Sequence, residues 1–134
     1  MNEATTTLTR AALEDVVILQ ADIHDATFQR PFHCIVAADV LEHFVNLEVP
    51  VAKIRSWLAP GGLLFTSLPT ENWLYEAIRW LFGLRKPDDH YHKANDIEQF
   101  LLARGFEPII RRSLPVAGFA LFSVTSWRKL DDDA

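Results

Sequence analysis

Polar side chains that could act in acid–base or binding chemistry follow each of three apolar runs in this 134-residue chain. They are Asp22 after the first run, Asp39, Glu42 and His43 after the second, and Ser67, Thr70, Glu71 and Asn72 after the third. An unperturbed imidazole titrates near neutral pH, so His43 could serve as a general base. The alternative is that these are ordinary loop residues, since Asp and Asn also cap the next turn or helix.

Two histidines in one polar stretch form a second candidate site. His90 and His92 follow Asp88 and Asp89, and imidazole nitrogens beside carboxylates are ligands that a transition metal accepts. Clusters of this kind also occur in solvated surface loops. A metal-dependent activity at His90 and His92 therefore stays open as an alternative.

Three apolar runs, residues 16–19, 33–38 and 63–68, predict buried strands. Continuous apolar character, without polar alternation, is typical of parallel strands that are covered on both faces. Asn46 predicts the start of an amphipathic helix that ends at Pro60-Gly61-Gly62, which gives a right-handed crossover between the second and third strands. In an open parallel sheet, ligands bind outside the carboxyl ends of the strands. The polar residues after the runs should therefore share one edge.

The second half of the chain predicts two further helices and two strands. Residues 72–84 have a helical pattern, and Asn95 with Glu98 three residues later is typical of a capping box that opens a helix ending at Gly105. Residues 106–113 and 119–127 read as a pair of strands. Helices and strands along the chain indicate one α/β domain.

Composition limits the classes of partner. The net charge of -5 leaves no positive excess for a phosphate backbone, so we expect no nucleic-acid partner. Cys34, the one cysteine, cannot form an internal disulfide, and no apolar stretch reaches the roughly 18 residues of a membrane span. These features predict a cytoplasmic protein without a membrane span.

The stretch from residue 32 to residue 69 resembles class I S-adenosylmethionine-dependent methyltransferases of the small-molecule type. It contains an apolar strand, the segment Asp-Val-Leu-Glu-His, a helix, a Pro-Gly-Gly turn and a strand that closes on Pro69, in the order of that family. Upstream, Gln20-Ala21-Asp22-Ile23 is similar to the end of the family's third strand. Downstream, the helix ending at Gly105 and the two strands after it are similar to its closing helix and hairpin.

The resemblance implies S-adenosylmethionine as cofactor, a small-molecule methyl acceptor and no metal. It places Asp22 on the adenine amino group, Ile23 against the adenine ring, and Ala38 and Asp39 at the methionine end. His43 becomes the candidate catalytic residue. The implied substrate pocket contains Glu42, Asn72, Trp73 and Tyr91. The family transfers the methyl group in line, so proximity and orientation dominate catalysis.

The chain departs from the family where the cofactor loop is expected. Glycines let backbone approach the cofactor in that loop, but those of this chain are Gly61, Gly62, Gly83, Gly105 and Gly118. We therefore expect an incomplete Rossmann-like sheet, mostly parallel with an antiparallel C-terminal hairpin, that lacks the first two strands. Residues 1–134 would form a single partial domain, with an extension at 1–14 and a disordered tail at 129–134.

The missing strands predict an open sheet edge, because the family places them between its third and fourth strands. At roughly 4.8 Å per strand, residues 16–19 and 34–38 would lie about 14 Å apart. Either the first strand moves beside residues 34–38, or a homodimer or partner chain covers the edge. The main hypothesis is a truncated methyltransferase that is inactive alone. The alternative is a non-enzymatic scaffold or assembly subunit that pairs through this edge.

Overall fold

The structure, a computed structural model, describes residues 16–70, 91–114 and 121–131. Its elements are β1 (Phe32–Ala38), a 3₁₀ helix (Leu41–His43), α1 (Glu48–Trp57), β2 (Leu58–Pro69), α2 (Ala94–Ala103), β3 (Phe106–Leu114) and β4 (Phe122–Lys129). The predicted helix at 72–84 lies outside the described residues. No helix among the described residues is long and apolar enough to cross a membrane.

The four strands form one mixed sheet in the order β1-β2-β4-β3. β1 and β2 are parallel, whereas β2 and β4, and β3 and β4, are antiparallel. The α/β class and the antiparallel C-terminal hairpin are thus confirmed. The described sheet has one parallel pair and two antiparallel pairs, so it is less parallel than the sequence suggested.

The first predicted strand accounts for this difference. Residues 16–19 have no regular secondary structure and are exposed, and Val17 has 79% of its surface accessible. A strand needs a hydrogen-bonded neighbour, and these residues do not pair with β1. The prediction of a strand at 16–19, and of its movement beside residues 34–38, was wrong. No described strand pairs with the outer edge of β1.

The connection between β1 and β2 follows the predicted crossover with shifted boundaries. Asn46 Oδ1 accepts the N–H of Glu48 at 2.8 Å, which satisfies a free donor in the first turn of α1. β2 begins at Leu58, five residues before the predicted start. The pairing with β1 has a register shift between Phe32 and Cys34, which accommodates the Pro-Gly-Gly turn.

One face of the sheet carries the hydrophobic core against α1 and α2. Leu64 and Leu68 of β2 and Trp127 of β4 are buried there. The other core members are Ala37, Leu41, Leu47, Val51, Ile54, Leu58, Ile97, Leu101 and Phe106. Each fully buried aliphatic side chain contributes on the order of 1.5–3 kcal/mol. The core therefore fixes α1 and α2 on one side of β2.

α2 is capped two residues earlier than predicted, at Lys93 and not at Asn95. The N–H of Lys93 donates to Asp96 Oδ2 at 3.3 Å, so Asp96 and not Glu98 closes the first turn. Glu98 contacts Arg111 and Ser123 instead. Gly105 ends the helix with φ of 76°, a conformation that favours glycine.

The C-terminal tail is shorter than predicted. Lys129 lies in β4, and the N–H of Leu130 donates to the carbonyl of Gly105 at 2.9 Å. Arg55 of α1 donates to the carbonyls of both Gly105 and Leu130, each at 2.9 Å. The tail boundary at 129 was therefore wrong, because residues 129 and 130 are bonded to the rest of the domain.

A buried hydrogen bond joins β2 and β4 inside the core. Trp127 Nε1–H donates to Thr66 Oγ1 at 2.9 Å, and both residues are almost fully buried. A buried donor that loses its partner retains its desolvation cost. The Thr66 hydroxyl thus allows an indole to lie in an apolar core.

Thr66→Val should lower the free energy of unfolding by about 1–3 kcal/mol, because the indole N–H would lose its acceptor while the volume stays similar. Urea unfolding followed by circular dichroism measures this change. Thr27→Val is the matched control at an exposed position and should change stability by less than about 0.5 kcal/mol. Equal effects of the two substitutions would contradict the role of the hydroxyl.

Candidate functional site

The chain leaves β1 through a left-handed residue at the carboxyl end of the strand. Asp39 has φ of 51°, which Asp and Asn tolerate better than most residues. Its N–H donates to the carbonyl of Ser67 in β2 at 3.1 Å. Ala38 and Asp39 are both exposed. The turn therefore presents an acidic side chain beside the ends of the two parallel strands.

The 3₁₀ helix that follows holds two of the predicted site residues. Leu41 anchors it in the core with no exposed surface, whereas His43 is exposed. The N–H of Tyr91 donates to the carbonyl of Glu42 at 2.9 Å. His92 donates from Nε2 to the carbonyl of Val45 at 3.2 Å. Two separate stretches of chain thus meet at this helix.

Glu42 is the most unusual residue of the site. It has 1% of its surface exposed, and neither carboxylate oxygen has a hydrogen-bond partner among the residues that the structure describes. Buried polar groups in folded proteins are nearly always paired. A buried, unpaired carboxylate is energetically costly, so its position needs an explanation beyond packing.

Asp22 lies in a tight turn that its own carboxylate organises. Asp22 Oδ1 accepts the backbone N–H of His24 at 2.8 Å and lies 2.7 Å from His24 Nδ1. Its carbonyl accepts the N–H groups of Asp25 and Ala26. The backbone N–H of His24 and then the His24 side chain hold the pKa of Asp22 below its ordinary range. This is the capping geometry that the sequence left as an alternative to adenine binding.

The Asp22 turn adjoins the 3₁₀ helix. The rings of His24 and Phe44 contact edge to face with centroids 6.4 Å apart. Lys53 of α1 donates from Nζ to the carbonyl of Ala26 at 3.3 Å and ties the turn to the domain. The residues after the first and second apolar runs therefore lie close together, as the sequence predicted, although the first run is not a strand.

A mainly apolar cavity of about 380 Å³ lies beside this turn. Its lining residues are Leu19, Gln20, Ala21, Ile23, Ala26, Thr27, Phe28 and Trp57. Phe28 contacts Trp57 edge to face with centroids 5.0 Å apart, and Phe32 at 4.9 Å. The cavity could hold a flat apolar group against Ile23.

The structure thus brings Ala38, Asp39, Glu42, His43 and Tyr91 to one end of the β1–β2 pair, with Asp22 and Ile23 adjoining. Two further predicted residues, Asn72 and Trp73, lie outside the described residues.

The histidine pair is only half described. His90 lies outside the described residues, and the His92 ring nitrogen Nε2 is bonded to Val45. In residues 16–70, 91–114 and 121–131, no three His, Cys, Asp or Glu side chains are grouped to hold a metal ion. The described structure therefore gives the metal alternative no support.

Phe44 is a residue of the site that was not predicted from the sequence. Its ring contacts His24 and joins the Asp22 turn to the 3₁₀ helix. His24 itself lies in the turn that the Asp22 cap predicted, because Asp side chains bond backbone two residues on. Phe44 gave no signal of its own, because its contact depends on the tertiary fold.

Comparison with known families identifies the domain. The sequence model of the family described as "Methyltransferase domain" matches residues 9–110. The chain belongs to this family. No curated protein matches it significantly.

Solved structures of methyltransferases share the fold of the chain. The apo S-adenosylmethionine-dependent methyltransferase SibL is 23% identical with a TM-score of 0.74, and the match covers 96% of this chain and 40% of SibL. The N-methyltransferase NodS from Bradyrhizobium japonicum, with bound S-adenosylhomocysteine, is 17% identical with a TM-score of 0.69, and the match covers 96% of this chain and 62% of NodS. A Burkholderia thailandensis 1,6-didemethyltoxoflavin-N1-methyltransferase is 16% identical with a TM-score of 0.70, and the match covers 98% of this chain and 58% of that enzyme. The chain therefore spans less than two thirds of each of these methyltransferases.

The family's cofactor is S-adenosylmethionine, but the described residues fit only part of it. At the adenine end, Asp22 offers a carboxylate, and the cavity beside Ile23 is apolar. At the methionine end, the first glycine of the sequence is Gly61, so the described residues before β1 contain no glycine-rich loop. Gly61, Gly62 and Gly105 lie elsewhere in the described fold. The described site is thus incomplete for the whole cofactor.

A pH titration checks the Asp22 turn. Because hydrogen bonds to the charged form depress the folded pKa, the Asp22 contribution to stability is present above the unfolded pKa and lost as pH falls through the folded one. The carboxyl ¹³C resonance of Asp22 should therefore titrate at lower pH in the folded chain than in urea. His24→Ala should raise the midpoint only part of the way, since the backbone N–H remains. His33→Ala is the matched control, and equal midpoints in the folded and unfolded chain would refute the turn geometry.

Proposed function

We propose that this chain is the C-terminal part of an S-adenosylmethionine-dependent methyltransferase that acts on a small molecule. One observation supports this proposal best: the acidic turn and 3₁₀ helix after parallel strand β1 adjoin the Asp22 turn, in a chain of the methyltransferase-domain family. Ligands in parallel α/β sheets bind at this end of the strands. We also propose a location in the cytoplasm, because Cys34 is an exposed free thiol and cytosolic thiols stay reduced.

The site residues then divide by the part of the cofactor or acceptor that they would contact. Asp22 would accept a hydrogen bond from the adenine amino group, and Ile23 would contact the ring. Ala38 and Asp39 would lie at the methionine end. Glu42, His43 and Tyr91 would face the methyl acceptor, with His43 as the candidate general base, and the resemblance adds Asn72 and Trp73.

The chain alone should be inactive, because it lacks a glycine-rich cofactor loop. Its described glycines lie in the turn before Leu63 and at the end of α2, and the remaining two, Gly83 and Gly118, come later than the strands that would need them. Without a loop that lets backbone N–H groups approach the cofactor, most of the binding free energy would be missing.

Calorimetric titration with S-adenosylhomocysteine tests the proposal of an incomplete site. The isolated chain should bind with Kd weaker than about 1 mM, which corresponds to less than about 4 kcal/mol. Saturable micromolar binding would contradict it. In that case Asp22→Asn, which keeps the turn acceptor but removes the charge, would show whether the binding uses this site.

The open edge of β1 favours a second candidate function, that of an assembly subunit. No described strand pairs with this edge, and the strand sequence, Phe32–Ala38, contains no Lys, Asp, Glu or Pro that would oppose pairing. Val36 in the same strand is 69% exposed. A second copy or a partner chain could extend the sheet there and form a homodimer or a mixed complex.

Light-scattering mass measurements test the assembly role. The wild-type chain should be a dimer, and Val36→Lys should shift it to a monomer, because a lysine on an edge strand opposes strand pairing. Val45→Lys is the matched control, since Val45 is 71% exposed but lies outside the strands. A monomeric wild-type chain would refute self-assembly through β1.

A further inference from the structure

Two glutamates are buried among the residues that the structure describes, and their contacts differ. Glu98 in α2 is 5% exposed, and its carboxylate contacts the guanidinium of Arg111 and the hydroxyl of Ser123. Glu42 is buried more deeply, yet in the described part of the chain neither of its oxygens has a hydrogen-bond partner. The fold therefore pairs one buried carboxylate and leaves the other unpaired.

The position of Glu42 excludes a simple packing role. A carboxylate has four lone-pair directions to satisfy, and an apolar side chain of similar size would fit a buried site at lower cost. Leu41, its neighbour in the same 3₁₀ helix, already anchors that helix in the core. The two Glu42 oxygens are thus hydrogen-bond acceptors to which no described residue donates.

A positively charged hydrogen-bond donor is the ligand that best matches the unpaired Glu42 carboxylate. Bonds between an ammonium group and a carboxylate are charge-assisted and stronger than bonds to a neutral donor. Asp39, three residues away, adds a second acidic side chain to the same turn. Among the described residues, Lys53, which ties the Asp22 turn to α1, donates to the carbonyl of Ala26.

We propose that the Glu42 carboxylate binds a positively charged amine, and that the methyl acceptor of this site is an amine-bearing small molecule. The assignment of that amine to the acceptor rests on the proposed methyltransferase function. The binding of an amine at Glu42 does not rest on that function. It is inferred from the burial of the carboxylate and from its lack of partners among the described residues.

Titration with methylammonium chloride, followed by ¹H–¹⁵N and side-chain ¹³C NMR of the whole chain at constant ionic strength, tests this proposal. The probe is small because the carboxylate is buried. The Glu42 carboxyl and the Tyr91 amide, which is bonded to Glu42, should shift saturably with Kd in the millimolar range. Tetramethylammonium carries the same charge without an N–H donor, and methanol is a neutral donor. Both should bind at least about tenfold more weakly.

Glu42→Gln should weaken methylammonium binding by at least about tenfold, whereas Glu107→Gln, at an exposed position of β3, should leave it unchanged. Equal shifts with all three probes, or shifts that persist in Glu42→Gln, would overturn the proposal. If Glu42→Gln does not fold, the comparison of the three probes on the wild-type chain decides. Amine binding is measured without cofactor. A negative result with methylammonium therefore overturns the amine proposal alone, whereas the S-adenosylhomocysteine titration tests the proposed function.

Discussion

β2 is the strand on which the rest of the domain depends. It is hydrogen-bonded on both sides, parallel to β1 and antiparallel to β4, so it fixes the position of every other strand. Its buried side chains contact α1, α2 and Trp127 in a single core. Loss of β2 would separate β1 and α1 from the C-terminal hairpin.

The candidate site follows from the parallel pairing of β2 with β1. Both strands end at the same side, where the Asp39 N–H reaches the Ser67 carbonyl and the chain turns into the 3₁₀ helix. The Asp22 turn reaches this side through His24 and Phe44. The family is shown by the match of the methyltransferase-domain model to residues 9–110. The described site offers only part of the contacts that the cofactor would need.

The sequence predicted the crossover, the hairpin and the grouping of polar residues, because apolar runs and Pro-Gly-Gly punctuation are local signals. It failed at residues 16–19, where a β-branched run without a neighbouring strand has no partner to bond. It also could not predict the burial of Glu42 or the contact between His24 and Phe44. Both depend on how α1 and the 3₁₀ helix pack, which no local pattern encodes.

Amide hydrogen exchange along β1 tests most directly whether the sheet is open at this strand. Because the Asp39 N–H points to β2, alternation places the Ile35 and Ala37 amides on the bonded side and the Cys34 and Val36 amides on the outer edge. In the dilute monomer, we expect slow exchange at Ile35 and Ala37 and fast exchange at Cys34 and Val36. Slow exchange at all four amides would contradict it, since another segment would then have to cover the edge.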